Sequence, residues 1–202
     1  MINKKYELTN NTITISDKTL YQIRALHDIP RWNVTKGDFG GYIEKEENLS
    51  HDGDCWVSGN AQVYGDAQVY GNARVSGNAW VSGNAQVYGD AWVSGNVWVS
   101  GNAQVYGDAQ VSGYVWVSGN ARVSENANIT KISDILVIGP IGSRNDYTTF
   151  YNINDNIGVV CGYFNGTIDE FETAVNNNHG SNIFAKEYNI AISLAKIKLH
   201  NN

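Results

Sequence analysis

Apolar and polar positions keep an unbroken six-residue period from Val57 to Ile129. The chain reads Val-Ser-Gly-Asn-Ala-Gln, Val-Tyr-Gly-Asp-Ala-Gln, Val-Tyr-Gly-Asn-Ala-Arg, and continues in this phase without an insertion or deletion. Within each unit the stretch Ala-x-Val-Ser or Ala-x-Val-Tyr is a short strand, because alternation sends Ala and Val to one face and their neighbours to the other. Gly-Asn or Gly-Asp then forms a corner, since both residues tolerate the positive φ of a sharp bend. Three strands close one triangular coil, so residues eighteen apart stack roughly 4.8 Å one above another and each sequence column becomes a surface ladder.

Threading by eighteens gives three unlike faces. The first aligns Trp80, Trp98 and Trp116 beside Ser82, Ser100 and Ser118, with its small inner position passing from Ala61 and Ala79 to Val97 and Val115. The second aligns Gln68, Gln86 and Gln104 beside Tyr70, Tyr88 and Tyr106. The third is mixed, with Trp56, Arg74, Trp92 and Gln110 outward beside Ser58, Ser76, Ser94 and Ser112. Backwards from the repeat, the small inner phase continues through Cys55, Leu49 and Ile43. The partner column there holds His51 and Lys45, which an apolar core does not take unpaired, so the first coil is expected to be open or capped.

The flanks have other periods. Short alternating runs at Tyr6 to Thr9, Thr12 to Ser16 and Leu20 to Leu26, punctuated by Asn10-Asn11 and Asp17-Lys18, predict strands that cover the exposed end of the coil. After Ile129 the pattern is α+β. Ile135 to Ile138, Thr148 to Ile153 and Gly158 to Phe164 read as strands. Thr167-Ile168-Asp169-Glu170 is a capping box that opens a helix with Ile168, Phe171, Ala174 and Val175 on one face, ending near Gly180. A second helix from about Asn182 to Lys198 carries Phe184, Tyr188, Ala191, Leu194 and Ala195 as its stripe. The expected division is residues 1–42 as an N-terminal β cap, 43–132 as the repeat, and 133–202 as a C-terminal α+β domain.

Composition alters this little. With 21 Gly and 2 Pro the chain would suggest disorder if it were aperiodic, but a strict period makes the glycines corners. A net charge of -6 argues against general nucleic-acid or anionic-membrane binding, which needs a basic surface. No apolar run approaches the length of a membrane span and the first residues have no apolar signal core, so a cytoplasmic protein is expected. Cys55 and Cys161 lack metal-ligand or disulfide-framework spacing and are expected to be reduced and buried.

The hexads resemble the hexapeptide-repeat family, in which an aliphatic residue is followed by corner residues and then by a small residue four positions on. That resemblance implies a mainly β fold, a left-handed parallel β-helix with triangular coils, and trimeric assembly. Over nearly the whole chain, Gly37-Asp38-Phe39-Gly40-Gly41-Tyr42-Ile43-Glu44-Lys45-Glu46, then Asn48 to Val57, the hexads, and Ile138-Gly139-Pro140-Ile141-Gly142-Ser143-Arg144-Asn145-Asp146-Tyr147-Thr148-Thr149-Phe150-Tyr151 resemble uncharacterised phage and prophage hexapeptide-repeat proteins. This implies a viral or mobile-element origin and assigns no catalytic residue.

Hexapeptide-repeat acyltransferases use a His base, which must be basic and accessible. The histidines here are His27, His51, His179 and His200, and for His51 a coil-capping role paired with Asp52 or Asp54 is preferred to catalysis. The corner column Asp54, Asn72, Asp90, Asp108 and Asn126 offers oxygens to a hard cation, yet such residues ordinarily bond their own turn; no metal and no cofactor is expected. The tryptophan column has three explanations: ring stacking within the chain, self-association, or a stacking platform for a base or sugar. Self-association of Trp80, Trp98 and Trp116 is preferred, with a homotrimer leading. Tyr70, Tyr88 and Tyr106 are candidate stacking surfaces, and Arg74, Arg122 and Arg144 candidate anion partners. Gly139 to Arg144, with Ser143, has the small residues, hydroxyl and guanidinium of a phosphate cradle but not a P-loop ending, so a simple turn is preferred. The expected function is a non-enzymatic oligomeric binding protein, a counter-defence protein sequestering a host signalling nucleotide or a host protein. The alternatives are an assembly scaffold and an acyltransferase-like enzyme.

Overall fold

The computed structural model describes residues 4–199; His200 lies outside them. An N-terminal hairpin, β1 (Tyr6–Ile15) and β2 (Lys18–Ala25), precedes β3 (Phe39–Ile43). Short strands β4 to β16 follow, from Trp56–Val57 to Asn128–Lys131. The chain closes with β17 (Ile135–Ile141), β18 (Asp146–Ile153), β19 (Asn156–Cys161), β20 (Phe164–Thr167), α1 (Ile168–His179) and α2 (Ile183–Leu199). No helix among the described residues is long and apolar enough to cross a membrane.

The repeat is a parallel β-solenoid. Each strand pairs with those eighteen residues before and after it, so Val75 lies between Val57 and Val93 and Trp98 between Trp80 and Trp116. The strands fall into three sheets, one per predicted face. Inner Ala and Val side chains are fully buried from Ala61 to Val123, and Val97 and Val115 fit the same column as Ala61 and Ala79. Corner glycines have φ between 64° and 78° from Gly59 to Gly119, the left-handed region that their lack of a Cβ permits.

The first coil departs from the expected phase. Ile43 and Leu49 lie opposite Val63 and Val69, in the aliphatic column, twenty residues away instead of eighteen. Gly41 takes the small position: a Cβ there would lie 2.6 Å from Ala61 O. The corner between Leu49 and Cys55 is two residues longer than the others, which moves His51 out of the core. Its Nδ1 accepts from the Lys5 backbone at 3.2 Å and its ring stacks on Tyr6 at 4.3 Å, so its partners are not Asp52 or Asp54. Lys45 likewise points outward, to Asp66 at 2.8 Å. Asn48 is buried instead, and its amide donates to Gly65 O (3.1 Å) and Ala67 O (2.8 Å), doing the work of a backbone N–H where the ladder stops.

The N-terminal hairpin extends the tryptophan sheet. β2 pairs antiparallel with β3, which pairs parallel with Gln62–Val63. Tyr6, Ile23, Ala25, Ile29 and Val34 join the solenoid core, and the Tyr6 hydroxyl donates to Leu49 O at 2.7 Å. Asn10-Asn11 is no turn: β1 runs through it with a register shift between Leu8 and Thr12, while Ser16 and Asp17 make the hairpin corner at positive φ. Trp56, expected outward, is buried beneath Tyr6 at a ring separation of 6.5 Å.

At the other end β17 to β20 form an antiparallel sheet in sequence order. Alternation along it divides its side chains: Ile135, Tyr151 and Val160 join the solenoid core, while Phe150, Ile157 and Val159 pack under α1 and α2. The strand predicted from Gly158 to Phe164 is two, β19 and β20, reversing at Gly162 with φ 59°. The capping box holds, with Thr167 accepting from Glu170 N and Gly180 at the C-cap. The stripe of α2 is rotated from expectation. Ala185, Tyr188, Ala191, Ile192, Ala195 and Leu199 are buried, and Phe184 and Leu194 are exposed with Ile183, Ile190 and Ile197. Both faces of this helix are apolar, so periodicity alone could not choose between them.

Candidate functional site

Tyr70, Tyr88 and Tyr106 stack with ring centroids 4.8 and 5.0 Å apart and planes within 5°. Burial against one another pushes the Tyr88 phenol up to about 12. Trp80, Trp98 and Trp116 stack likewise, at 4.9 and 5.5 Å. A ring covered on both faces by its neighbours offers a ligand only its edge, so neither ladder is a continuous stacking platform. What remains exposed on the tryptophan column are edges and one end, Trp98 at 43% and Trp116 at 61%.

The arginines separate. Arg74 stacks over Trp32 at 5.5 Å, with its Nε buried and without a hydrogen-bond partner, far from Arg122 and Arg144 along the solenoid. Arg122 donates to Gly162 O at 2.9 Å and ties the solenoid to the β19–β20 turn. Arg144 stands over Tyr163 at 4.6 Å and has no carboxylate partner among the described residues. Asp90 of the corner column is held by Arg31 (2.6 Å) and Asn72 (3.0 Å), an ordinary structural use of that column.

Gly139 to Ile141 belongs to β17, and the turn begins at Gly142. The Gly142 N–H, which a phosphate cradle would need, donates to Glu187 at 2.6 Å. This backbone is therefore closed by a carboxylate, which fits the simple turn preferred from the sequence over an anion cradle. The side chains of Ser143 and Arg144 instead rim a cavity of about 300 Å³ with Phe164, Phe171, His179 and Tyr188. Burial, with Cys161 beside it, pushes the Tyr188 phenol up to about 12, so it stays protonated as a donor near neutral pH. Cys161 accepts from Thr148 Oγ1 at 3.2 Å and lies 3.8 Å from the Tyr188 hydroxyl. It is a free, buried thiol whose hydrogen-bond partners among the described residues are the Thr148 and Tyr188 hydroxyls, and no described imidazole is among them.

The cavity draws on the β17–β18 turn, the β19–β20 turn and both helices. Ser143 and Arg144 were visible as candidates; Tyr163, His179 and Tyr188 were not, because they come from separate segments with no shared spacing.

A family model described as the YdcK β-solenoid repeat matches residues 67–83, 85–101 and 103–119. These matches lie inside the solenoid and succeed one another at one coil's interval, so the likeness concerns the rungs and leaves both ends outside it. A comparison with curated proteins found no match.

Proposed function

We propose that this chain is a non-enzymatic binding protein that holds a small anion with an aromatic body in the C-terminal cavity and self-associates along its tryptophan column. The solenoid is proposed to be left-handed and triangular in section, as its six-residue rungs and three sheets suggest. The observation that carries the binding role is Arg144: a guanidinium free of carboxylates, seated on Tyr163 at the mouth of an aromatic-walled cavity. An unpaired arginine stacked on a ring favours a planar anion that completes its hydrogen bonds. A volume of about 300 Å³ suits one ring system with its anionic group, which narrows a nucleotide ligand to mononucleotide scale.

Calorimetry with adenosine monophosphate, ADP-ribose and a cyclic dinucleotide tests this. Adenosine monophosphate should bind and be recovered intact and the two larger compounds should bind more weakly, with Arg144→Ala weakening the monophosphate at least about tenfold. Conversion of the ligand would favour an enzyme, and equal binding by the variant would remove Arg144 from the site. Absence of heat with all three would favour the scaffold reading, which the closed ladders also support.

A further inference from the structure

The tyrosine ladder ends one place short of the first coil. Ser50 holds the position there that Tyr70 holds in the next: its N–H donates to Val69 O at 2.9 Å, as that of Tyr70 donates to Val87 O at 3.1 Å. Tyr70 stacks on Tyr88 through one face. Serine is too small to cover the other, and a cavity of about 500 Å³ opens against Tyr70, lined also by Gln68, Glu46, Glu47 and His51.

The rim has a definite chemistry. Because the Lys5 N–H donates to His51 Nδ1, the ring proton lies on Nε2. That Nε2 is buried without a hydrogen-bond partner, 3.8 Å from Glu46 Oε2. Glu46 is paired with Lys4 at 2.6 Å, whereas Glu47 is exposed and makes no ion pair among the described residues. The slot thus has an aromatic floor, the spacing of a ring stack, and at its edge an exposed carboxylate that makes no ion pair among the described residues.

We propose that this slot binds a planar aromatic cation, its ring stacked on Tyr70 as the missing member of the ladder and its charged amine at Glu47. Stacking on an aromatic face and attraction of a cation to a carboxylate act together here, at a site separate from the C-terminal cavity. The ligand is defined by ring and charge, so two compounds sharing a ring and opposite in charge distinguish it from a merely apolar hollow.

Calorimetry with tryptamine and indole-3-acetate provides that comparison. Tryptamine should bind and indole-3-acetate should not. Glu47→Gln should weaken tryptamine about threefold to fivefold. Ser50→Phe, which fills the slot from within, should abolish binding while leaving the thermal midpoint unchanged or raised. Tyr70→Leu, which removes the ring face while keeping apolar volume, should weaken binding whether or not Ser50→Phe folds. Equal binding of the two indoles, no heat from tryptamine at about 1 mM, or retained binding in folded Ser50→Phe would overturn the proposal.

Discussion

Tyr151 shows how a single side chain sets a condition on the whole chain. Its ring belongs to the solenoid core and its hydroxyl meets Ser124 at 3.0 Å, the residue that follows Tyr106 in the tyrosine column. Burial pushes this phenol up to about 12, partly offset by the Ser124 hydrogen bond. The unfolded phenol titrates near 10. The neutral form is thus favoured by folding, so the stabilisation is complete below pH 10 and lost as pH rises from 10 through 12. Two pH units correspond to about 2–3 kcal/mol. Urea unfolding should show stability falling over this window, and Tyr151→Phe should flatten the fall by about 1.4 kcal/mol per unit. Parallel curves for the two proteins would reject the assignment. Tyr6, Tyr70, Tyr88 and Tyr188, whose phenols burial also raises, leave a residual slope in the variant.

Among elements, the corners decide how closely coils approach. A Cβ on Gly77 would lie 2.8 Å from the backbone nitrogen of Gly95, whereas one on Gly119 meets nothing within 4 Å, at nearly the same positive φ. Gly119→Ala should therefore cost only the left-handed penalty, about 1–2 kcal/mol. Gly77→Ala adds a clash between two backbones, which no rotamer relieves, and should cost about 2–3 kcal/mol or more in chemical unfolding. Equal losses would mean that the coils part freely. These corners were legible in the sequence because a local demand for positive φ writes Gly at every sixth place. The longer corner at His51 was not: Ile43 and Leu49 suit either inner column, and only their pairing with Val63 and Val69 tells which. Trp56 was misplaced for a related reason, since what buries it is Tyr6, far away in sequence. The cavity at Arg144 was half legible, through two adjacent residues of one turn, and completed by rings from helices that any apolar stripe could have supplied.

At the scale of the molecule, two of the apolar surfaces left uncovered among the described residues are large enough to matter for assembly. One is the edge of the tryptophan column; the other is the outer stripe of α2, with Ile183, Ile190 and Ile197 seven residues apart. The proposed self-association uses the first, so sedimentation should show Trp98→Asp reduced to a lighter species and Ile190→Asp unchanged. The reverse outcome would assign the contact to α2, and a monomeric unaltered protein would dismiss both.

The Asn48 amide and the long corner beside it have a consequence for how the chain knows its own beginning. Interior coils are nearly interchangeable, so a pairing displaced by one whole turn would satisfy most of the same contacts. Only the features at the two ends, which have no counterpart elsewhere, mark where counting starts and stops. Between these stops length is a free variable: the gain or loss of eighteen residues shifts one end relative to the other by a single strand spacing and alters neither. The solenoid is thereby a ruler, and the separation between the Tyr70 slot and the Arg144 cavity is a quantity that duplication can adjust in equal steps.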